Sequence, residues 1–460
     1  PHPLFGSFTF LFKQNVGIWM RDLHLRFSSP LVGIWVFWKP VLVVSDPQIA
    51  RRILIQDSDL FRNRNVSSGK SDPIGSKNIF TVNDPTWTNV RRRITYIFTA
   101  AKLKALQGFG TSKAQAVVNR IKQYNSENKA IELRSLFSDF TTDIFGTFAF
   151  GIETNAVETG DSVLRAVTRT FQEFDMYRGL CWLSIFFWPG LVDIFRFSFF
   201  PKKTTDFFTK TVNDIIEYRI KNKVQKPDLL DALIKMKKEG LDEGEEFDDD
   251  LLAAQATIML QGGFDTTAGS LTFTIHELAH NAEAQEKLYR ELAEAKAQKN
   301  NEDLNFNDLE NLTYLNCVIK ESVRKYPPMG WLDRIAATDY KIDDKLTIPR
   351  GTPVYVNAIG MHYDPQYFPE PHVYNPDRFL PENESDIVLF SYLPFGDGPR
   401  MCIGMRFAQM TMRTVLSEMV LNLQFRPKPG YPKPSEVQFE TKGLFLFPGA
   451  PLSVEFIPRN

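Results

Sequence analysis

At 460 residues, with 43% hydrophobic and 24% charged residues, the sequence is that of an ordinary globular chain with ample core, and length alone suggests about three domains. A net charge of −1 gives no reason to expect nucleic acid as a partner. Three cysteines (Cys181, Cys317, Cys402) cannot make a paired framework and lack zinc-type spacing, which fits a reducing compartment. No uninterrupted apolar run reaches the roughly 18 residues of a membrane-spanning helix. The 39 Phe, against 14 Tyr and 7 Trp, suit an apolar ligand pocket or a membrane-facing patch as well as a core.

In chain order, residues 31–45 read as two strands about a Lys39-Pro40 turn. Asp46-Pro47 opens a short helix through Leu54, and Phe61 to Phe80, rich in Ser, Asn and Gly, reads as loop. Trp87 and Arg91 lie at i, i+4 on one helical face, where indole and guanidinium can donate to one carboxylate; taken alone they also read as a surface helix. Arg91, Arg92, Arg93, Lys102 and Lys104 make a cationic patch, either a solvated face or a dock for an acidic electron donor. From Ser112 to about Arg178 the period is helical, with breaks near Asn125–Lys129 and Gly151–Gly160. Cys181 to Phe200 carries two Trp and six Phe around Pro189-Gly190 and reads as a shallow membrane-dipping element or as a lid over the core.

Residues 240–250 form an acidic run that enters the next helix with its acids at the N-terminus. Leu251 to His280 is a long apolar helix interrupted at Gln261-Gly262-Gly263-Phe264-Asp265-Thr266-Thr267. The glycines, Gly263 among them, let a small ligand such as O2 approach backbone, and Asp265 with Thr266 supplies the carboxylate and hydroxyl of a proton relay; a kinked core helix is the alternative. His276-Glu277-Leu278-Ala279-His280 matches the zinc-hydrolase pattern H-E-x-x-H, with Glu302 or Glu310 as third ligand. Against it, Asn281 reads as the cap of the next helix, which leaves His280 at a helix C-terminus. Glu321 and Arg324, at i, i+3, share a face of a helix that Pro327-Pro328 ends. Finally, Pro394-Phe395-Gly396-Asp397-Gly398-Pro399-Arg400-Met401-Cys402-Ile403-Gly404 places one cysteine in a glycine-rich loop at a helix N-terminus, with an arginine two residues before it. Such a site favours a thiolate and suits a haem iron.

This loop, the Trp87/Arg91 helix, the Gly/Asp/Thr segment, the Glu321/Arg324 pair and Asn375-Pro376-Asp377-Arg378-Phe379 resemble, in order and spacing, the cytochrome P-450 superfamily of haem-thiolate monooxygenases. The texture looks most like microsomal animal members, particularly insect xenobiotic-metabolising ones. The resemblance implies a mainly α fold with a smaller β-rich lobe, and one domain over residues 1–460 in place of the three that length suggests. It implies haem b with Cys402 as axial iron ligand under Phe395, and propionates held by Trp87, Arg91, Arg334 and Arg400. Glu321 and Arg324 would lock to Arg378. Thr266 with Asp265 would deliver protons, while Trp331, Leu332 and the stretch Lys442–Leu446 would line the pocket and the loop Phe61–Phe80 would close over it.

The implied partners are O2, an apolar small molecule (xenobiotic, plant toxin or endogenous lipid or hormone), NADPH–cytochrome P-450 reductase, cytochrome b5 and the cytoplasmic face of the endoplasmic reticulum membrane. Residues 1–7 are similar to the hinge that follows an N-terminal anchor in microsomal members, so an anchor is expected upstream. Two rivals stand beside this reading: a haem-thiolate isomerase or sensor, and the zinc hydrolase.

Overall fold

The helix expected from Leu251 onward is the axis of the fold. In the computed structural model, which describes residues 2–3, 5–10, 13–226, 228–242 and 247–459, it spans 32 residues, Asp249–His280, about 48 Å at the usual rise. It starts where Asp248 accepts the Leu251 N–H at 2.8 Å and two further acids face the positive end of the dipole. It stops at Asn281, which caps the next helix, Ala282–Gln298, by accepting the Ala284 N–H. Of the acidic run, residues 243–246 lie outside the described residues, as do Pro1 and Leu4 of the hinge-like start. Nearly every side chain from Leu251 to Ala279 is buried, so the helix has no solvent face. Packed around it are Leu133–Phe145, Lys202–Asn222, Pro73–Lys77, Thr313–Lys325 and Met405–Asn422. The expected interruption is absent: the helix runs unbroken through Gly262-Gly263, with the Thr266 hydroxyl donating back to the Gly262 carbonyl at 2.6 Å.

The smaller lobe is a four-stranded sheet in the order Leu31–Val36, Lys39–Val44, Pro353–Val356, Leu332–Ile335, with the middle pair parallel. The hairpin turn is Phe37-Trp38, not Lys39-Pro40. Phe37 takes a left-handed φ of 53°, as the two-residue turn closed by Val36 and Lys39 requires, and its ring packs against Phe8 and Trp188; Pro40 pairs with Trp35 ahead of Leu42, where the second partner strand begins. The sheet carries Arg334 on its last strand.

Most helical expectations hold with shifted ends. The helix at Pro47 continues past Leu54 to Gln56, and Ala100–Ser126 begins well ahead of Ser112. Breaks fall after Ser126 and at Gly151, which has the positive φ that the end of a helix there requires. The segment 61–80 is loop except for Pro73–Lys77, capped by Asp72. The tail closes on itself as Leu423–Pro427 paired with Val454–Pro458.

The aromatic stretch after Cys181 forms two helices, Met176–Phe187 and Gly190–Phe195. Their inner side buries Ile185, Phe186, Phe187 and Val192 over the core, while Ile194 (71% exposed) and Phe195 (60%) face outward. Trp188 also meets Trp38 of the hairpin turn, itself 62% exposed, at 5.1 Å between ring centroids. The stretch thus covers the core with its inner side and leaves an apolar patch on its outer side. Among the described residues, no helix is long and apolar enough to cross a membrane.

Candidate active site

The cysteine loop is closed by its own backbone. Cys402 N–H donates to the Phe395 carbonyl at 2.9 Å and Met401 N–H to the Gly398 carbonyl at 3.1 Å. Gly396 and Gly398 both take positive φ, and a Cβ on Gly398 would lie 1.9 Å from the Leu54 carbonyl, so no other residue fits there. Gly404 then starts the helix Met405–Asn422, and the N–H groups of Gly404 and Met405 reach the Cys402 sulfur.

Burial is nonetheless the largest influence on that thiol and pushes it up, against those two N–H groups and the guanidiniums of Arg91 and Arg64. The helix end thus favours the thiolate as its position implies, but burial outweighs it; ligation to a metal would deprotonate the thiol outright. The sulfur faces open space although it lies deep, whereas Cys181 and Cys317 are buried, and burial pushes Cys317 up to about 11.

Around the loop gather four arginines. Arg400 stacks its guanidinium 4.0 Å over the Trp87 ring and donates to the carbonyls of Arg62 and Val82. Arg91, one helical turn from Trp87 as its spacing required, donates to the Met401 carbonyl at 3.0 Å. Arg334 donates to the Asp333 carbonyl. Sequence reasoning missed the fourth, Arg64; its signal was the repeat Arg62-Asn63-Arg64-Asn65 in a loop read only as a cover.

Asp333 stands 3.9 Å from Arg64 Nε, but one of its oxygens is taken by the N–H groups of Asn65 and Val66. Burial, then neighbouring guanidiniums, pulls Arg334 down to about 9 and Arg400 to about 8; burial also lowers Arg64 and Arg91. Arg64 Nε is buried and, beyond its long ion pair with Asp333, has no hydrogen-bond partner among the described residues. A concentration of cationic donors with too little anion, beside an upward-shifted thiol, fits a dianionic, iron-bearing group such as haem.

The helix Asp249–His280 carries the other half of the site. Gly262 has nothing within 4 Å of where a Cβ would stand, whereas at Gly263 the same atom would sit 2.1 Å from the Phe145 ring. The expectation for Gly263 is corrected accordingly: it admits an aromatic ring, and Gly262 is the glycine that leaves open space. Phe145 packs edge-on to Phe407, in the helix that follows Cys402, at 5.5 Å, and so joins the two halves.

Thr266, one turn on from Gly262, shares its side. Asp265 does not, because successive helical residues project about 100° apart. Its buried carboxylate accepts from Arg134 and from Gln172, each at 2.9 Å. Asp265 and Thr266 are thus adjacent in sequence but serve different surroundings.

The remaining motifs separate cleanly. Glu321 and Arg324, both fully buried, form a two-bond pair at 2.6 and 2.9 Å, and Arg378 joins Glu321 at 3.2 Å. Burial alone would pull Arg324 down, but the Glu321 carboxylate outweighs it and holds the guanidinium above its usual value. In the H-E-x-x-H segment, Glu277 is turned to Lys325 and the Tyr326 hydroxyl, His276 bonds the Pro432 carbonyl and His280 the His276 carbonyl. Among the described residues no three His, Cys, Asp or Glu side chains are grouped to hold a metal. The cationic patch is divided too: Arg91 turns to Met401 and buried Arg93 to Glu239.

The profile of the Cytochrome P-450 family matches residues 1–456. Cytochrome P-450 6k1 of Blattella germanica is 34% identical over 98% of this chain and 90% of its own length. Cytochrome P-450 6a2 of Drosophila melanogaster is 33% identical over 91% and 86%, and Cytochrome P-450 9c1 of the same fly 31% over 97% and 90%. With a helical body, a small β lobe, a cysteine loop ringed by arginines and these relatives, the chain belongs to the cytochrome P-450 family and is a haem-dependent monooxygenase.

Proposed function

We propose that residues 1–460 act as one monooxygenase domain that oxidises an apolar small molecule, a xenobiotic or an endogenous lipid, at a haem ligated by Cys402. The carrying observation is the loop geometry: a single deep-set cysteine with two N–H groups on its sulfur, the guanidiniums of Arg91 and Arg64 close to it, and Arg334 and Arg400 beside Arg64. Bound haem b supplies O2 activation, with one oxygen atom passing to substrate and the other leaving as water. Trp87, Arg91, Arg334, Arg400 and Arg64 would hold the propionates, whose negative charge would offset the cluster's excess positive charge. Thr266 holds a proton at its hydroxyl on the open side beside Gly262, while Asp265, engaged by Arg134 and Gln172, ties the helix to its neighbours instead of sharing that proton. The aromatic density of the lid suits an apolar substrate.

Electrons come from NADPH through cytochrome P-450 reductase, with cytochrome b5 as a second donor. The outward patch of Trp38, Ile194 and Phe195 rests on the cytoplasmic face of the endoplasmic reticulum membrane. In the purified protein, Cys402→Ala is expected to abolish the red-shifted ferrous–CO band while the fold survives. A band unchanged in position and height overturns the ligand assignment.

A further inference from the structure

His362 ends the short helix Ala358–His362 and is fully buried, away from the cysteine loop in sequence, yet both of its ring nitrogens are engaged by backbone. Nδ1 lies 2.9 Å from the Arg324 carbonyl, an acceptor, and must carry the proton. Nε2 lies 2.9 Å from the Leu393 nitrogen, a donor, and must be bare. The two bonds define one tautomer and require a neutral ring. Burial, the largest influence, with the nearby Arg324 guanidinium, lowers this imidazole to about 3, which keeps it neutral over the working range. Arg324 also returns a bond, donating from Nη1 to the His362 carbonyl at 2.7 Å. Tyr392 stacks on the ring at 5.6 Å and bonds the Lys320 carbonyl.

Leu393 immediately precedes the cysteine loop. Its own carbonyl accepts Gly396 N–H at 3.1 Å, and the next closure is Cys402 N–H on the Phe395 carbonyl. A continuous run of backbone bonds therefore leads from the charge cluster to the sulfur through one imidazole. We infer that His362 is a positioning residue for Cys402: it joins the Arg324 carbonyl to the Leu393 N–H and passes the placement of the Glu321/Arg324/Arg378 cluster to the loop that presents the thiolate. This rests on Cys402 being the iron ligand.

Two conservative variants divide the two bonds. His362→Gln places an amide near the Nε2 position and keeps an acceptor for Leu393; His362→Asn places one near Nδ1 and keeps only the Arg324 bond. In the holoenzyme, His362→Asn should show amide exchange at Leu393 about tenfold faster than wild type, equivalent to about 1.4 kcal/mol. Part of its ferrous–CO band should move from the red-shifted to the blue-shifted position of a displaced thiolate. His362→Gln, still tied to Arg324 through the backbone carbonyl of residue 362, should keep both near wild type even where the two variants lose equal thermal stability, which separates positioning from bulk stability. Identical behaviour of Gln and Asn, or a wild-type band in both, overturns the inference. Cys402→Ala run alongside separates this failure from failure of the ligand assignment: if it abolishes the band while both His362 variants keep it, only the positioning role falls.

Discussion

Arg324 and Arg334 are both buried arginines, one on the helix Thr313–Lys325 and one on the strand that follows it, yet their charges are met in opposite ways. Arg324 has a carboxylate in a two-bond embrace, and Arg378 shares it. Arg334 has its neighbour's carbonyl and stands among Arg64 and Arg400, with Asp333 the nearby carboxylate. The first group is complete within the chain and braces the fold; the second is incomplete and holds its place only because the rest of the fold does. The same residue type, equally dry, thus has its anion supplied by the chain in one place and is left short of one in the other.

The strongest way to break this comparison is at the complete cluster. Arg324→Met leaves Glu321 buried with Arg378 as its remaining cation and should cost about 3–5 kcal/mol. Denaturant unfolding of the holoprotein checks this, and a loss under about 1 kcal/mol would remove the distinction.

A buried base without an anion sharpens it next. Burial, then His280 and Lys325, lowers His276 to about 4, against a bonded Pro432 carbonyl. Its folded value lies below the unfolded one near 6.5, so the unfolded chain binds the proton more readily. Stability is then full above pH 6.5 and falls by up to about 3 kcal/mol as pH drops toward 4. His276→Gln should flatten that part of a plot of Tm against pH; an unchanged slope would place the acid sensitivity elsewhere.

At the incomplete cluster the expected sign reverses. Arg334→Met should leave the stability of haem-free protein unchanged or raise it by about 1 kcal/mol, while haem transfer to an acceptor protein becomes faster. Destabilisation of the haem-free form as large as that of Arg324→Met would make the two clusters alike. The smallest effect on stability is expected at the distal helix. Thr266→Ala removes one local bond, to Gly262, and should keep both Tm and the ferrous–CO band. More of the NADPH consumed should appear as hydrogen peroxide, and product formed per NADPH should fall; equal coupling would show that the hydroxyl carries no proton.

Local order was legible in the residues wherever neighbours along the chain make the chemistry. Asp248 and Asn281 bracket the long helix as caps must, and Trp87 with Arg91, Glu321 with Arg324, and the glycine-bounded Cys402 loop each show their geometry in their spacing. Where a residue's partner comes from elsewhere, spacing was silent or misleading. Gly262 and Gly263 are indistinguishable in sequence; a ring from another helix decides which is open. Asp265 beside Thr266 reads as a joint relay until Arg134 and Gln172 claim the carboxylate. The upward shift of the Cys402 thiol, the addition of Arg64 and the connection through His362 likewise depend on burial and on distant backbone, which only the folded chain brings together. The sequence by itself determined the caps, the Glu321/Arg324 pair and the glycine-bounded turn around Cys402, because helix period and turn chemistry act over a few residues. The tertiary structure decided which charges are satisfied within the chain and which are not, because desolvation and long-range pairing do not exist before the chain has packed.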